Sequence, residues 1–297
     1  MNSGAFERAL DKTGAAVDEI LDELLPLPEG PEARLTEAMR YALLPGGKRL
    51  RPFLVVASSD MFRVARRSSM RAAAALELIH TYSLIHDDLP CMDDDDVRRG
   101  RPATHIKYDE ATAILAGDSL QGLAFEIMSD EDTHSHPEVR LELVRTLAHA
   151  AGGRGMAGGQ MIDLSAEHES LAIPEVTRLQ QMKTGALIAC ACEAGVILGR
   201  AHNRQRQILH AYAHDLGLAF QITDDLLDAT GAEVAAGKRL RKDATAGKAT
   251  FVSVLGADAA RRQARLLADQ AIQHLESFSD KADLLRAAAD FVINRTS

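Results

Sequence analysis

Aspartates are the residues of this chain best placed to do chemistry. They concentrate in Ile85-His-Asp-Asp-Leu-Pro-Cys-Met-Asp-Asp-Asp-Asp-Val-Arg-Arg-Gly100 and in Phe220-Gln-Ile-Thr-Asp-Asp-Leu-Leu-Asp228. Carboxylates this close repel one another unless a cation sits between them. Ligand sets made only of oxygen suit Mg²⁺, which keeps some of its waters and completes its octahedron with substrate phosphates. The clusters therefore point to diphosphate chemistry. Asp224 and Asp228 are four residues apart and share one face of a helix, with Asp225 beside them. Asp87 and Asp93 are six apart and would lie about 120° from each other on a straight helix. Pro90 disfavours such a helix. The spacing predicts that a helix ends near Asp88 and that a short bulge returns Asp93 toward Asp87.

The elements that must hold these groups read as helices. Ala is abundant, Trp is absent and Phe and Tyr are few among 297 residues, which suits close-packed helices better than sheets. Apolar residues recur at three and four, as in Phe6, Leu10, Val17, Leu21 and Leu24, and strand-like alternation is nearly absent. Helices are predicted at about 5–25, 31–44, 51–63, 67–88, 108–129, 137–152, 174–200, 203–229, 257–276 and 281–294. Pro and Gly punctuate the gaps. The expectation is an all-α bundle of about ten helices, with no linker dividing residues 1–297 into separate domains. Both aspartate clusters then fall near the ends of long helices.

Charge and cysteine usage narrow the function. A formal charge of −9 excludes a broad nucleic-acid footprint, so an anionic substrate needs local Lys and Arg or a metal. Cys91, Cys190 and Cys192 are read as reduced thiols of a cytoplasmic protein. Glu7, Asp11, Asp18 and Glu19 stand where an export signal would be basic and then apolar. The most apolar run, Gly185 to Gly199, is too short to span a bilayer, is interrupted by Glu193, and reads as a buried helix.

A basic segment precedes the first cluster: Gly46-Gly47-Lys48-Arg49-Leu50-Arg51-Pro52. Its glycines permit close backbone approach, and its cations offer point-charge and forked donors for a diphosphate. His80 lies seven residues before Asp87 on the same helical face, where it can donate to a phosphate oxygen. In order and type, these motifs resemble the trans-isoprenyl diphosphate synthases, most closely the short-chain bacterial group that makes farnesyl diphosphate. The likeness runs from about residue 30 to residue 255.

That resemblance implies an all-α prenyltransferase fold with a central active-site cavity, a homodimer, and no nucleic-acid or membrane partner. It implies that Lys48, Arg51, His80 and Arg99 hold isopentenyl diphosphate. Asp87, Asp88 and Asp93, with Asp224, Asp225 and Asp228, match the magnesium sites that grip the allylic diphosphate. About three ions are implied with diphosphate bound, with manganese as a substitute. Arg98, Lys183, Thr184, Gln221, Lys238 and Lys248 match contacts to the allylic substrate. The implied reaction ionises dimethylallyl or geranyl diphosphate, adds the isopentenyl double bond to the allylic cation, and loses a proton to the departing diphosphate. Thr184 and Gln221 supply oxygen dipoles to the cation, and no protein nucleophile is required.

Product length is expected to depend on Tyr82 and Ser83, about 6–8 Å down the helix from Asp87, with the Tyr82 ring as a floor that favours fifteen carbons. A geranylgeranyl diphosphate synthase is the alternative. A terpene cyclase is less well matched because it needs no second diphosphate site. A non-catalytic synthase subunit is also less well matched, because both aspartate motifs are intact. Arg241 stands where related sequences often have glycine, and Gly158-Gly159-Gln160 reads either as part of the family pattern or as room for close helix packing.

Overall fold

The computed structural model describes residues 3–44, 46–166, 171–230 and 250–295. Helices dominate as expected: α1 (Ser3–Leu24), α2 (Ala33–Leu43), α3 (Leu50–Met61), α4 (Arg66–Asp87), α5 (Thr104–Lys107), α6 (Glu110–Ser129), α7 (Pro137–Ala151), α8 (Met156–Ser165), α9 (Ile173–Gln180), α10 (Ala186–Leu198), α11 (Asn203–Thr230), α12 (Phe251–Leu255), α13 (Ala257–His274) and α14 (Asp283–Asn294). Their apolar faces meet in one contiguous core running from Phe6 to Val292.

Two helices are buried on nearly every side. In α4 the run Ala72–Ala75 has no exposed surface, and small side chains there let α1, α3, α6 and α10 approach closely. α10 packs against α3, α7 and α11. The stretch Ile173–Leu198 is long and apolar enough to cross a membrane, yet most of it is buried within the bundle, as a core helix is.

Several elements depart from the periodicity. The helix expected at 174–200 runs without a break from Ile173 to Leu198, but a π turn at Gln181–Gly185 interrupts its regular winding between α9 and α10. The helix expected at 108–129 is present and begins at Glu110, where the Asp109 carboxylate accepts from Thr112 N at 2.7 Å and caps α6, with the short α5 standing separately ahead of it. Helix α8 escaped prediction because its glycines weaken the helical signal. α12 is only five residues long, and Thr250 and Ser253 cap it reciprocally. The single described ladder is a β-hairpin, β1 (Val97–Arg98) with β2 (Arg101–Pro102), turned by Arg99 and Gly100 at φ 52° and 71°. Two consecutive left-handed residues make this a tight turn of the primed type.

Candidate active site

The end of α4 is built as the spacing predicts. Pro90 stops the helix, and the following loop folds back through Asp93 N to Asp87 O (2.8 Å), Asp95 N to Asp88 O (3.1 Å) and Asp94 N to Leu89 O (3.2 Å). Asp93 is thereby returned to Asp87. Burial raises the Asp87 carboxyl to about 6, and Asp93 and Asp88 push in the same direction, while Lys183 opposes them. The carbonyl end of α4 adds negative potential at the same point. Asp87, Asp88 and Asp93 make this an acidic mouth, with Lys183 and Arg98 as the cations that act on Asp87.

The two members of each adjacent aspartate pair differ in their surroundings. Asp88 is buried and lies in the fork of Arg98, which donates from Nε at 3.0 Å and also from Nη2. Asp225 is likewise buried, accepting from Gln221 Nε2 at 2.8 Å and from Phe251 N at 2.9 Å. Asp87 and Asp224 are only partly buried. Asp228 follows Asp224 one turn later on α11.

Lys183 and Thr184 face this mouth from the π turn. Lys183 Nζ pairs with Asp163 of α8 at 2.5 Å, and Thr184 Oγ1 donates to Gln221 Oε1 at 2.9 Å. The close seat requires glycine: a Cβ on Gly159 would lie 2.2 Å from Lys183 N, and one on Gly158 would lie 2.1 Å from Gly153 O. Gly159 therefore allows α8 to pack closely on the turn that carries Lys183, while Gly158 leaves room chiefly for the Gly153 carbonyl ahead of α8. Beside it, Gln160 is buried with neither end of its amide hydrogen-bonded.

A basic recess adjoins the acidic mouth. Arg51 Nη1 lies 3.3 Å from His80 Nε2, with its guanidinium near Phe220 of α11. Lys48 lies close enough to Asp224 and Arg295 for both to influence its charge; burial lowers its pKa, Arg295 adds to that, and Asp224 opposes it. The hairpin turn brings Arg99 to this recess, where its Nη2 would lie 3.0 Å from a Cβ on Gly47. Arg51 Nε and Arg99 Nη1 are buried without a hydrogen-bond partner. Such orphaned cationic donors suit an incoming anion.

Of the sequence-predicted residues, Lys48, Arg51, His80, Arg98, Arg99, Lys183, Thr184 and Gln221 gather around the two aspartate clusters. Lys238, Arg241 and Lys248 lie outside the described residues. Tyr82 is buried, stacks edge-on with His86 at 5.6 Å, and hydrogen-bonds Gln121 of α6; Ser83 Oγ donates to His80 O at 2.8 Å. Three residues at the site were not anticipated: Asp163, Glu77 and Arg295. Glu77 was discernible as a lone acid in an Ala-rich buried helix. Arg295 carried no signal, since only folding sets the chain's end against α11, where it binds Asp224 Oδ1 at 2.6 Å and covers the Phe220 ring at 3.9 Å.

The profile of the polyprenyl synthetase family matches residues 32–290. Farnesyl diphosphate synthase of Escherichia coli (strain K12) is 46% identical over 279 residues, covering 91% of each chain. Geranylgeranyl diphosphate synthase of Cyanophora paradoxa is 40% identical over 282 residues, covering 94% of each. Among solved structures, the apo form of an FPP/GFPP synthase from Zymomonas mobilis superposes with a TM-score of 0.90 at 50% identity, covering 98% of this chain and all of that one.

Proposed function

Because the chain belongs to the polyprenyl synthetase family and is a short-chain prenyltransferase, we propose that it joins isopentenyl diphosphate to dimethylallyl or geranyl diphosphate and releases farnesyl diphosphate. The observation that carries this reading is the pairing of an acidic mouth with a separate basic recess. A coupling enzyme needs two diphosphate sites of different character, whereas a cyclase needs one.

The acidic mouth fits magnesium. Its donors are all carboxylate oxygens, and the raised Asp87 pKa marks an electrostatic cost that a cation would relieve. Among the described residues no three His, Cys, Asp or Glu side chains form a cage of their own, so diphosphate oxygens and water would complete the ligand set. We assign the ligands to Asp87 and Asp93 on one side and Asp224 and Asp228 on the other. Asp88 and Asp225 act behind them by fixing Arg98 and Gln221. When bound, magnesium supplies charge neutralisation of the allylic diphosphate.

The chain's own groups divide the remaining work. Lys183 and Arg98 stabilise the departing diphosphate, with Lys238 and Lys248 assigned to the same task from the resemblance. The Thr184 hydroxyl and the Gln221 carboxamide, held by their mutual hydrogen bond, place oxygen dipoles beside the allylic carbon as it becomes positive. Lys48, Arg51, His80 and Arg99 orient isopentenyl diphosphate for attack. The departing diphosphate takes the proton.

The buried Tyr82 supports a fifteen-carbon product. A twenty-carbon product is the second reading, favoured by the likeness to the Cyanophora paradoxa protein. The contiguous core supports one domain, and the free cysteines support a cytoplasmic location. Exposed Ile114 and Leu115 on α6 and Leu141 on the neighbouring α7 support a homodimer formed through these helices. Incubation with geranyl and isopentenyl diphosphates plus magnesium, with chromatographic sizing of the prenyl product, tests the whole reading. Farnesyl diphosphate is expected, and a cyclised hydrocarbon from the allylic substrate alone would reject it.

A further inference from the structure

Glu77 lies on α4, one turn before His80, with 3% of its side chain exposed. Three arginines surround it. Arg49 Nη1 donates directly to Glu77 Oε1, Arg99 Nη2 stands 3.6 Å from the same oxygen, and Arg51 is within its electrostatic reach. Burial lowers the pKa of both Arg51 and Arg99, and in each case Glu77 is the strongest influence opposing it.

Arg49 does not need this carboxylate to itself. It also binds Asp18 at 2.8 Å and donates to Leu43 O at 2.8 Å. Three guanidiniums thus face two carboxylates, and the charge of Glu77 is shared with the two arginines whose Nε and Nη1 remain buried and unpartnered. Arg49 and Arg99 are also held at φ 46° and 52°, in the left-handed region that disfavours any residue with a Cβ. Two separate turns have been bent unfavourably to bring cations to one anion.

We infer that Glu77 is a positioning residue that holds Arg99 and Arg51 as a preformed fan for the second diphosphate, an inference that rests on the isopentenyl diphosphate site proposed above. Without it, crowded guanidiniums repel and turn outward to solvent, and the incoming diphosphate must gather them again at its own cost. Glu77 does not touch substrate. Its contribution is the geometry already present before substrate arrives.

The test compares Glu77→Gln, Glu77→Asp and Lys48→Ala in steady-state kinetics with each substrate varied in turn, together with thermal melting. Glu77→Gln should raise KM for isopentenyl diphosphate by about tenfold while KM for geranyl diphosphate changes less than about twofold. Glu77→Asp keeps the charge but withdraws it by one methylene, so its KM should fall between wild type and the Gln variant. If Gln leaves Arg49 too poorly compensated to fold, the Asp variant alone decides, with a rise of at least about threefold expected. A lowered melting temperature with an unchanged KM for isopentenyl diphosphate would make Glu77 purely structural and overturn the inference. So would a lower KM, which would mean that Glu77 competes with substrate. Lys48→Ala separates the two levels: if it raises only the allylic KM, the site assignment itself fails and this inference goes with it; if it raises KM for isopentenyl diphosphate while both Glu77 variants leave that constant unmoved, only the role of Glu77 is lost.

Discussion

At the residue scale, charge placed against burial governs the behaviour of the mouth. Asp87 has its pKa raised from 3.8 to about 6. A carboxyl raised on folding favours the protonated native state, so its contribution to stability is present below about pH 4 and is lost as pH rises through about 6. In metal-free protein at neutral pH the ionised carboxylate therefore costs on the order of 1–3 kcal/mol. Asp87→Asn should melt a few degrees higher than wild type in EDTA, while its turnover with magnesium drops at least about a hundredfold. Differential scanning calorimetry and a product assay on the same preparation check both halves; a variant that loses both stability and turnover would contradict this account. Wild-type turnover should vanish in EDTA and return with magnesium, because without a cation the aspartates would repel the diphosphate they are proposed to hold.

At the element scale, the π turn and the α4 helix each set one property of the site. The π turn carries Lys183 and Thr184, and Gly159 lets α8 lie directly beneath it. Gly159→Ala places a Cβ against backbone and should destabilise the protein by about 1–3 kcal/mol, the usual cost of overpacking. It should also weaken allylic diphosphate binding more than isopentenyl diphosphate binding, since Lys183 is displaced and Lys48 is not. Chemical denaturation and the two KM values check this. Along α4, Tyr82 lies in the turn before Asp87 and is held by His86 and Gln121. Tyr82→Ala should lengthen the product from fifteen toward twenty or more carbons, as measured by chromatography of the dephosphorylated prenols. An active variant with an unchanged product would move the floor of the tail site to another helix.

At the scale of the whole molecule, the exposed apolar residues of α6 and α7 should join two copies, so Leu141→Glu combined with Leu115→Glu is expected to shift sedimentation from dimer to monomer. Retention of the wild-type sedimentation coefficient would place the interface elsewhere. The helical architecture was legible in the sequence because apolar spacing encodes which face of each helix is buried, and the core follows that spacing from Phe6 to Val292. The return of Asp93 to Asp87 was legible for a local reason: Pro90 must end α4 within a turn of Asp87. What sequence could not encode locally was decided by packing between distant segments. The π turn exists where α8 presses on residues 181–185, and the Arg99-Gly100 turn is held where Arg98 and Arg99 meet Asp88 and Glu77. Arg295 reaches Asp224 only because α14 docks beside α11. Residue types and spacing pointed to diphosphate chemistry, and the resemblance carried by those motifs supplied the reaction. Which carboxylate faces the mouth and which braces an arginine depended on tertiary structure, because burial and partners, rather than residue identity, set the state of each charge.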